Sequence, residues 1–146
     1  MNVEPASVGA KVRLGEQAPI LAIGSLGLTD VVRFAGATGD LNPVHHDPEF
    51  ARSLGHPDVF IMGMLPGAIL AEFAARWLAP LRVRFLDLRF VDRVWTDEPL
   101  ECGGEVIRVD DRAIREVTVK LWVRTTDGVL KISGDCTVSS RWHGTG

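Results

Sequence analysis

Between Met64 and Leu78 the chain carries two charges, Glu72 and Arg76, among side chains that are otherwise apolar or small. Four residues apart, those charges share one narrow strip of a helix. Leu65, Ile69, Leu70, Phe73, Trp77 and Leu78 supply bulk, while Gly67, Ala68, Ala71, Ala74 and Ala75 allow close approach. Pro66 fits a first helical turn, where its missing N–H costs no bond. A helix apolar nearly all round is expected to be buried nearly all round. A chain of 146 residues has room for one sizeable core, so the remainder must wrap this helix.

The second half of the sequence reads as that wrapper. Leu81 to Val94 is a long extended run whose alternation changes phase near Asp87, which predicts a bulge there. Pro99 to Val109 predicts a second strand, bent at Gly103-Gly104. In Ala113 to Arg124, Ala113, Val117, Val119, Leu121 and Val123 share one face, interrupted by Arg115; Glu116, Thr118 and Lys120 take the other. Thr126-Asp127-Gly128 and Asp110-Asp111 mark hairpins. Val129 to Ser139 closes the series, with Leu130, Ile132, Cys136 and Val138 on one side. These strands read as an antiparallel meander. Helix first and strands after is an α+β order: a curved antiparallel sheet around one long buried helix.

Ahead of that helix the elements are short. Ala18 to Ile23 predicts an extended segment at a sheet edge, given Pro19. Thr29 reads as the cap of a helix over Asp30 to Thr38, stopped by Gly39. Asp47-Pro48-Glu49 starts another helix, with a capping acid and then proline at the first helical position. Residues 1–146 read as one domain, with Met1 to Ala10 a loose arm.

Composition removes several function classes. The net charge of −3 argues against a nucleic-acid partner. No apolar run reaches the length of a membrane span, and Met1 to Ala10 lacks the basic-then-apolar order of a signal peptide. Cys102 and Cys136 belong to no paired framework and read as buried small apolar residues, so a reduced, cytoplasmic setting is expected.

The polar stretch Gly39-Asp40-Leu41-Asn42-Pro43-Val44-His45-His46-Asp47 holds two of the four histidines. Pro43 forbids a regular helix through it and biases Asn42 toward an extended conformation. Asp40 and His45 are therefore presented from a bent loop. An acid and an imidazole aimed at one point can hold a water and move its proton. On composition alone a solvated turn is equally good.

Phe34-Ala35-Gly36-Ala37-Thr38-Gly39-Asp40-Leu41-Asn42-Pro43-Val44-His45-His46-Asp47 resembles the signature of the MaoC-like hydratases, the (R)-specific enoyl-CoA hydratases and related 3-hydroxyacyl-thioester dehydratases. Its core, Asp-x-Asn-Pro-x-His, is far more specific than a lone acid or histidine. The resemblance runs from about Gly15 to Ser139 and implies a hotdog fold. It also implies a hydro-lyase that adds water to a trans-2-enoyl thioester. Asp40 and His45 would bind and activate the water, one taking and one giving a proton. The Gly63 N–H would meet the thioester oxygen, and Asn42 would stabilise the loop. Met62, Met64 and Gly67 would line the acyl site. Coenzyme A would enter as part of the substrate, with no separate cofactor, and the chain would form at least a dimer.

Two features depart from or refine that pattern. The family commonly has histidine where this chain has Met62. Val44-His45-His46-Asp47 and Asp58-Val59-Phe60-Ile61 resemble a subset that acts on steroid side-chain acyl-CoAs and assembles with a second, non-identical hotdog subunit. A non-catalytic or half-site subunit is thus an alternative, and an acyl-thioester hydrolase another. A metal site built from His45, His46, Asp47, His56 and Asp58 lacks chelating spacing. Arg82, Arg84, Arg89 and Arg93 suit phosphate recognition, but a solvated strand face is the preferred reading for any one of them. Trp77, Trp95, Trp122 and Trp142 read as core or interface.

Overall fold

The computed structural model describes residues 11–140; the expected N-terminal arm, 1–10, and Trp142 lie outside them. The described elements are β1 (Leu21–Ser25), α1 (Leu28–Thr38), a 3₁₀ turn (Pro43–His45), α2 (Pro48–Ser53), β2 (Phe60–Ile61), α3 (Met64–Trp77), β3 (Arg82–Phe90), β4 (Val94–Trp95), β5 (Pro99–Asp110), β6 (Glu116–Thr125) and β7 (Leu130–Ser139). Five strands form one antiparallel sheet in the order β1-β5-β6-β7-β3, and β2 pairs with β4 alone.

The clean alternation of β6 succeeds because one face meets the core: Val117, Val119, Leu121 and Val123 are fully buried. Each such side chain contributes about 1.5–3 kcal/mol. They share a core with Leu70, Phe73, Ala74 and Trp77 of α3. Helix and sheet approach closely where glycine permits. A methyl on Gly104 would lie 2.7 Å from the Lys120 carbonyl oxygen and 3.2 Å from the Trp77 ring. Gly103-Gly104 is therefore not a bend. Gly104 admits Trp77, and Gly103 lies under the Trp122 ring; the register of β5 shifts further on, between Val106 and Arg108.

Other expectations are also corrected. The helix α3 is covered by the sheet on one side only; Met64, Ala68, Glu72, Ala75 and Arg76 are exposed. Its small residues are thus split between a packed face and an open one. The first long helix starts two residues earlier than expected. Gly27, not Thr29, is the cap, and Asp30 accepts from the Gly27 N–H at 3.0 Å. The first strand lies a few residues later than the expected Ala18 to Ile23. The extended run after Leu81 is two strands, broken at residues 91–93, and its bulge falls between Val83 and Phe85 rather than near Asp87. The late strands are not a simple meander, because β3 pairs with β7 at the sheet edge. Ala113 sits exposed in the turn before β6. Leu130 is 40% exposed while Lys131 is buried, the reverse of the expected facing. The cause is a register shift: Val123 pairs with Ile132 but Arg124 with Leu130, leaving Lys131 as the extra, bulged residue.

Candidate active site

The loop after α1 is shaped by its own side chains. Gly39 ends α1 in the left-handed conformation (φ 77°). The Asn42 carbonyl oxygen of the side chain accepts from the Val44 N–H at 3.2 Å and caps the 3₁₀ turn. Asp47 accepts from the N–H groups of Glu49 and Phe50 at 3.0 and 3.1 Å, starting α2 as expected with Pro48 behind it. Between these caps, Asp40 uses Oδ1 to accept from the Asn42 N–H at 3.4 Å, and His45 sits at the end of the turn, 8% exposed.

His45 Nδ1 lies 2.8 Å from the Phe60 carbonyl oxygen. That oxygen can only accept, so Nδ1 carries the proton and, in the neutral ring, Nε2 is left as an acceptor. Nε2 faces Asp40 Oδ2 at 4.0 Å, too far for a direct hydrogen bond. Two acceptors at this spacing suit one water between them. A water donating to both at about 2.7 Å would subtend roughly 95° at its oxygen, close to its own bond angle. Its lone pairs would then be free to attack.

Both groups open onto a cavity of about 470 Å³. One wall is Phe60, Ile61, Met62, Gly63 and Met64, leading into α3. The facing wall is Phe90 to Val94, with Ile132 behind. Gly63 precedes the first turn of α3, where helix geometry offers its N–H no intrahelical carbonyl and the positive end of the helix dipole adds to it. A methyl there would come within 2.7 Å of the Phe90 ring. Met62 is buried and Met64 half exposed.

Of the expected site residues, Asp40, His45, Met62, Gly63 and Met64 are brought together around the cavity. Asn42 shapes the loop without lining the cavity. Gly67 faces Leu88 across the helix–sheet contact, where a methyl would sit 3.2 Å from Leu88 Cδ1, and it is not among the residues lining the cavity. Of the four arginines considered for phosphate, Arg93 lines the cavity, its guanidinium 5.4 Å from the centre of the Phe60 ring. His56 packs edge-on to Phe60 at 5.1 Å.

Sequence reasoning missed the facing wall and its anchor. Residues 91–93 lay inside what read as one strand, although Val91-Asp92-Arg93 breaks the alternation and was the available signal. Lys131 gave no signal, since alternation placed it outward. Its ammonium donates to Asp92 Oδ2 at 2.9 Å, the Arg93 carbonyl at 2.8 Å and Glu98 Oε1 at 3.2 Å. Burial pushes the Lys131 pKa down, but hydrogen bonds to the Asp92 and Glu98 carboxylates outweigh it and hold the ammonium above its ordinary value. The Lys131 bond holds Asp92 below the usual carboxylate range.

Residues 5–128 match the MaoC like domain. The chain belongs to this family. Among curated proteins, the chain is 26% identical over 141 residues to the (R)-specific enoyl-CoA hydratase of Aeromonas caviae, covering 94% of this chain and 98% of that one. It is 30% identical over 101 residues to the 3-oxo-4,17-pregnadiene-20-carboxyl-CoA hydratase beta subunit of Mycobacterium tuberculosis, covering 68% of this chain and 76% of that one. Among solved structures, it resembles a chain of the ChsH1–ChsH2 complex from Mycobacterium tuberculosis, at a TM-score of 0.76 and 26% identity over 88% of this chain and 98% of that one. The architecture of this MaoC-like chain is the hotdog fold. No helix among its described residues is long and apolar enough to cross a membrane.

Proposed function

We propose that this MaoC-like chain is a hydro-lyase that reversibly adds water to a trans-2-enoyl thioester, giving the (R)-3-hydroxyacyl thioester. The observation that carries this reading is the 4.0 Å gap between an imidazole nitrogen left as an acceptor and a carboxylate oxygen, opening on a cavity. Asp40 and His45 hold the water. As its oxygen bonds to C3, the pair takes one of its protons, and a proton is returned to C2. The water's hydrogens end on C2 and on the new hydroxyl, and the pair returns to its starting state. The Gly63 N–H meets the negative charge that builds on the thioester oxygen. The chemistry needs no cofactor; coenzyme A, favoured over acyl carrier protein, is part of the substrate, and Arg93, which lines the cavity, would meet its phosphates.

A second reading concerns assembly. Among the described residues the strand β3 has a neighbour on one side only, and it exposes Phe85 and Phe90, which favours at least a dimer. The likeness to a hydratase beta subunit and to a two-component complex favours a heteromer with another hotdog chain. The test is loss of the conjugated enoyl-thioester absorbance with short, long and polycyclic enoyl-CoAs, run beside Asp40→Asn and His45→Ala. Each folded variant is expected to lose at least about 10²-fold in kcat, the scale of general acid–base catalysis. Retained activity in either sinks the assignment of that residue. Thiol release without loss of the hydratable double bond would indicate a thioesterase instead. Inactivity of the lone chain that a captured hotdog partner restores would establish the heteromer.

A further inference from the structure

The acceptor that fixes the His45 tautomer, the Phe60 carbonyl, stands on a weak element. The strands β2 and β4 have two residues each and, among the described residues, pair only with one another. An isolated ladder of that size does not hold itself. Ile61 and Val94 anchor its inner face in the core, and Lys131 ties down the chain on either side of β4. As the bulged residue of β7, Lys131 is displaced from the alternation of its strand, and its side chain is turned inward to 3% exposure. Its carbonyl oxygen accepts from the N–H of Val91 at 2.8 Å and of Asp92 at 3.3 Å. Its ammonium binds Asp92, the Arg93 carbonyl and Glu98, using all three donors. Glu98 in turn uses Oε2 to accept from the Trp95 N–H at 2.9 Å. Trp95 is the residue that pairs with Phe60. One cation therefore grips the chain before and after β4, Glu98 links it to Trp95 within β4, and β4 pairs with β2.

We propose that Lys131 is a positioning residue for His45: it fixes the β4–β2 pair so that the Phe60 carbonyl holds the Nδ1 proton and leaves Nε2 facing Asp40. The lysine touches neither His45 nor the cavity's reacting atoms and acts through Glu98, Trp95 and Phe60. The kinetic part of the inference rests on the hydratase reading; the tautomer part does not.

The test uses Lys131→Met and the milder Glu98→Ala, which leaves Lys131 paired with Asp92 and cuts the link to Trp95. Long-range ¹H–¹⁵N spectra of the histidine rings report the His45 tautomer, and amide spectra report the fold. In the wild type His45 is expected as a single Nδ1–H tautomer. In each folded variant that signal should be lost or mixed. The value of kcat should fall by about 10–100-fold, the scale of an ångström-sized misplacement, while KM moves less than about threefold. A merely structural lysine would lower stability without touching the tautomer. A folded variant that keeps the wild-type tautomer overturns the proposal, whatever its rate. If Lys131→Met does not fold, Glu98→Ala decides alone. If the tautomer is lost and kcat is unchanged, positioning stands and the role of His45 in the hydratase reading falls. If the wild type hydrates nothing, the spectra still decide.

Discussion

Gly63→Ala separates what the amino end of α3 does for the fold from what it does for the reaction. The new methyl would lie 2.7 and 2.9 Å from Cδ1 and Cε1 of Phe90. That is about 1 Å inside normal carbon–carbon contact, so the ring or the backbone must yield. Phe90 is 49% exposed on the edge strand β3, so its ring is not locked by close packing on all sides. Gly63 already has αR geometry (φ −55°, ψ −33°), so alanine brings no backbone strain. Stability should fall by no more than about 1–2 kcal/mol, the low end of overpacking. Activity should fall further. On the hydratase reading the methyl crowds the approach of the thioester oxygen to the N–H, and full loss of one such donor costs about 10²–10³-fold in kcat. The double variant Gly63→Ala/Phe90→Ala assigns the cause. Removing the ring should restore the urea midpoint toward that of Phe90→Ala alone and leave kcat low. The assay is enoyl-thioester hydration beside urea unfolding. If Gly63→Ala keeps kcat within about threefold of the wild type, a close approach of the thioester oxygen beside the Gly63 Cα is refuted. If Phe90→Ala restores kcat, the ring was the obstacle and the N–H argument fails.

Two further outcomes follow from the core. Burial pushes the Cys102 thiol up to about 12, with the Glu101 charge adding, and the Cys136 thiol up to about 11. The folded state therefore keeps protons that the unfolded chain releases above its thiol pKa near 8.5, and stability falls as pH rises from there toward the folded values, by about 1.4 kcal/mol per thiol per pH unit. Urea melts at pH 8 and pH 10 should show that loss, and a Cys102→Ala/Cys136→Ala variant should be spared most of it; an equal loss in both proteins would refute the assignment. Gly104→Ala must displace the Lys120 carbonyl and the Leu121 side chain, with the Trp77 ring also crowded. It should cost about 1–3 kcal/mol in the urea midpoint, whereas in Gly103→Ala the obstacle is the Trp122 side chain and the loss should be smaller; equal losses would mean that backbone contact is not what decides the glycine.

The site's first wall was legible because its constraints are local. Asp40 to His45 is bent by Pro43 and capped by Asn42 and Asp47 within a few residues of each other, so sequence spacing fixes geometry there. The strand β6 was legible for the same reason: each residue's facing follows from its neighbour's. Bulges break that rule, because one extra residue inverts every later facing and the sequence does not announce which residue is extra. The bulge at Lys131 is the case that matters. Read by alternation, Leu130 faces in and Lys131 out. In the fold, Lys131 turns inward because Asp92 and Glu98, far back in the sequence, offer two carboxylates and Arg93 a carbonyl. A buried ammonium is tolerable only when its donors are all met, and that condition is set by a loop that read as uninterrupted strand. The second wall of the cavity and the lysine that anchors it were therefore hidden together. A sequence reader alert to Val91-Asp92-Arg93 as a break would have needed a buried cation to close it, and Leu130-Lys131-Ile132 is the only place in β7 that offers one.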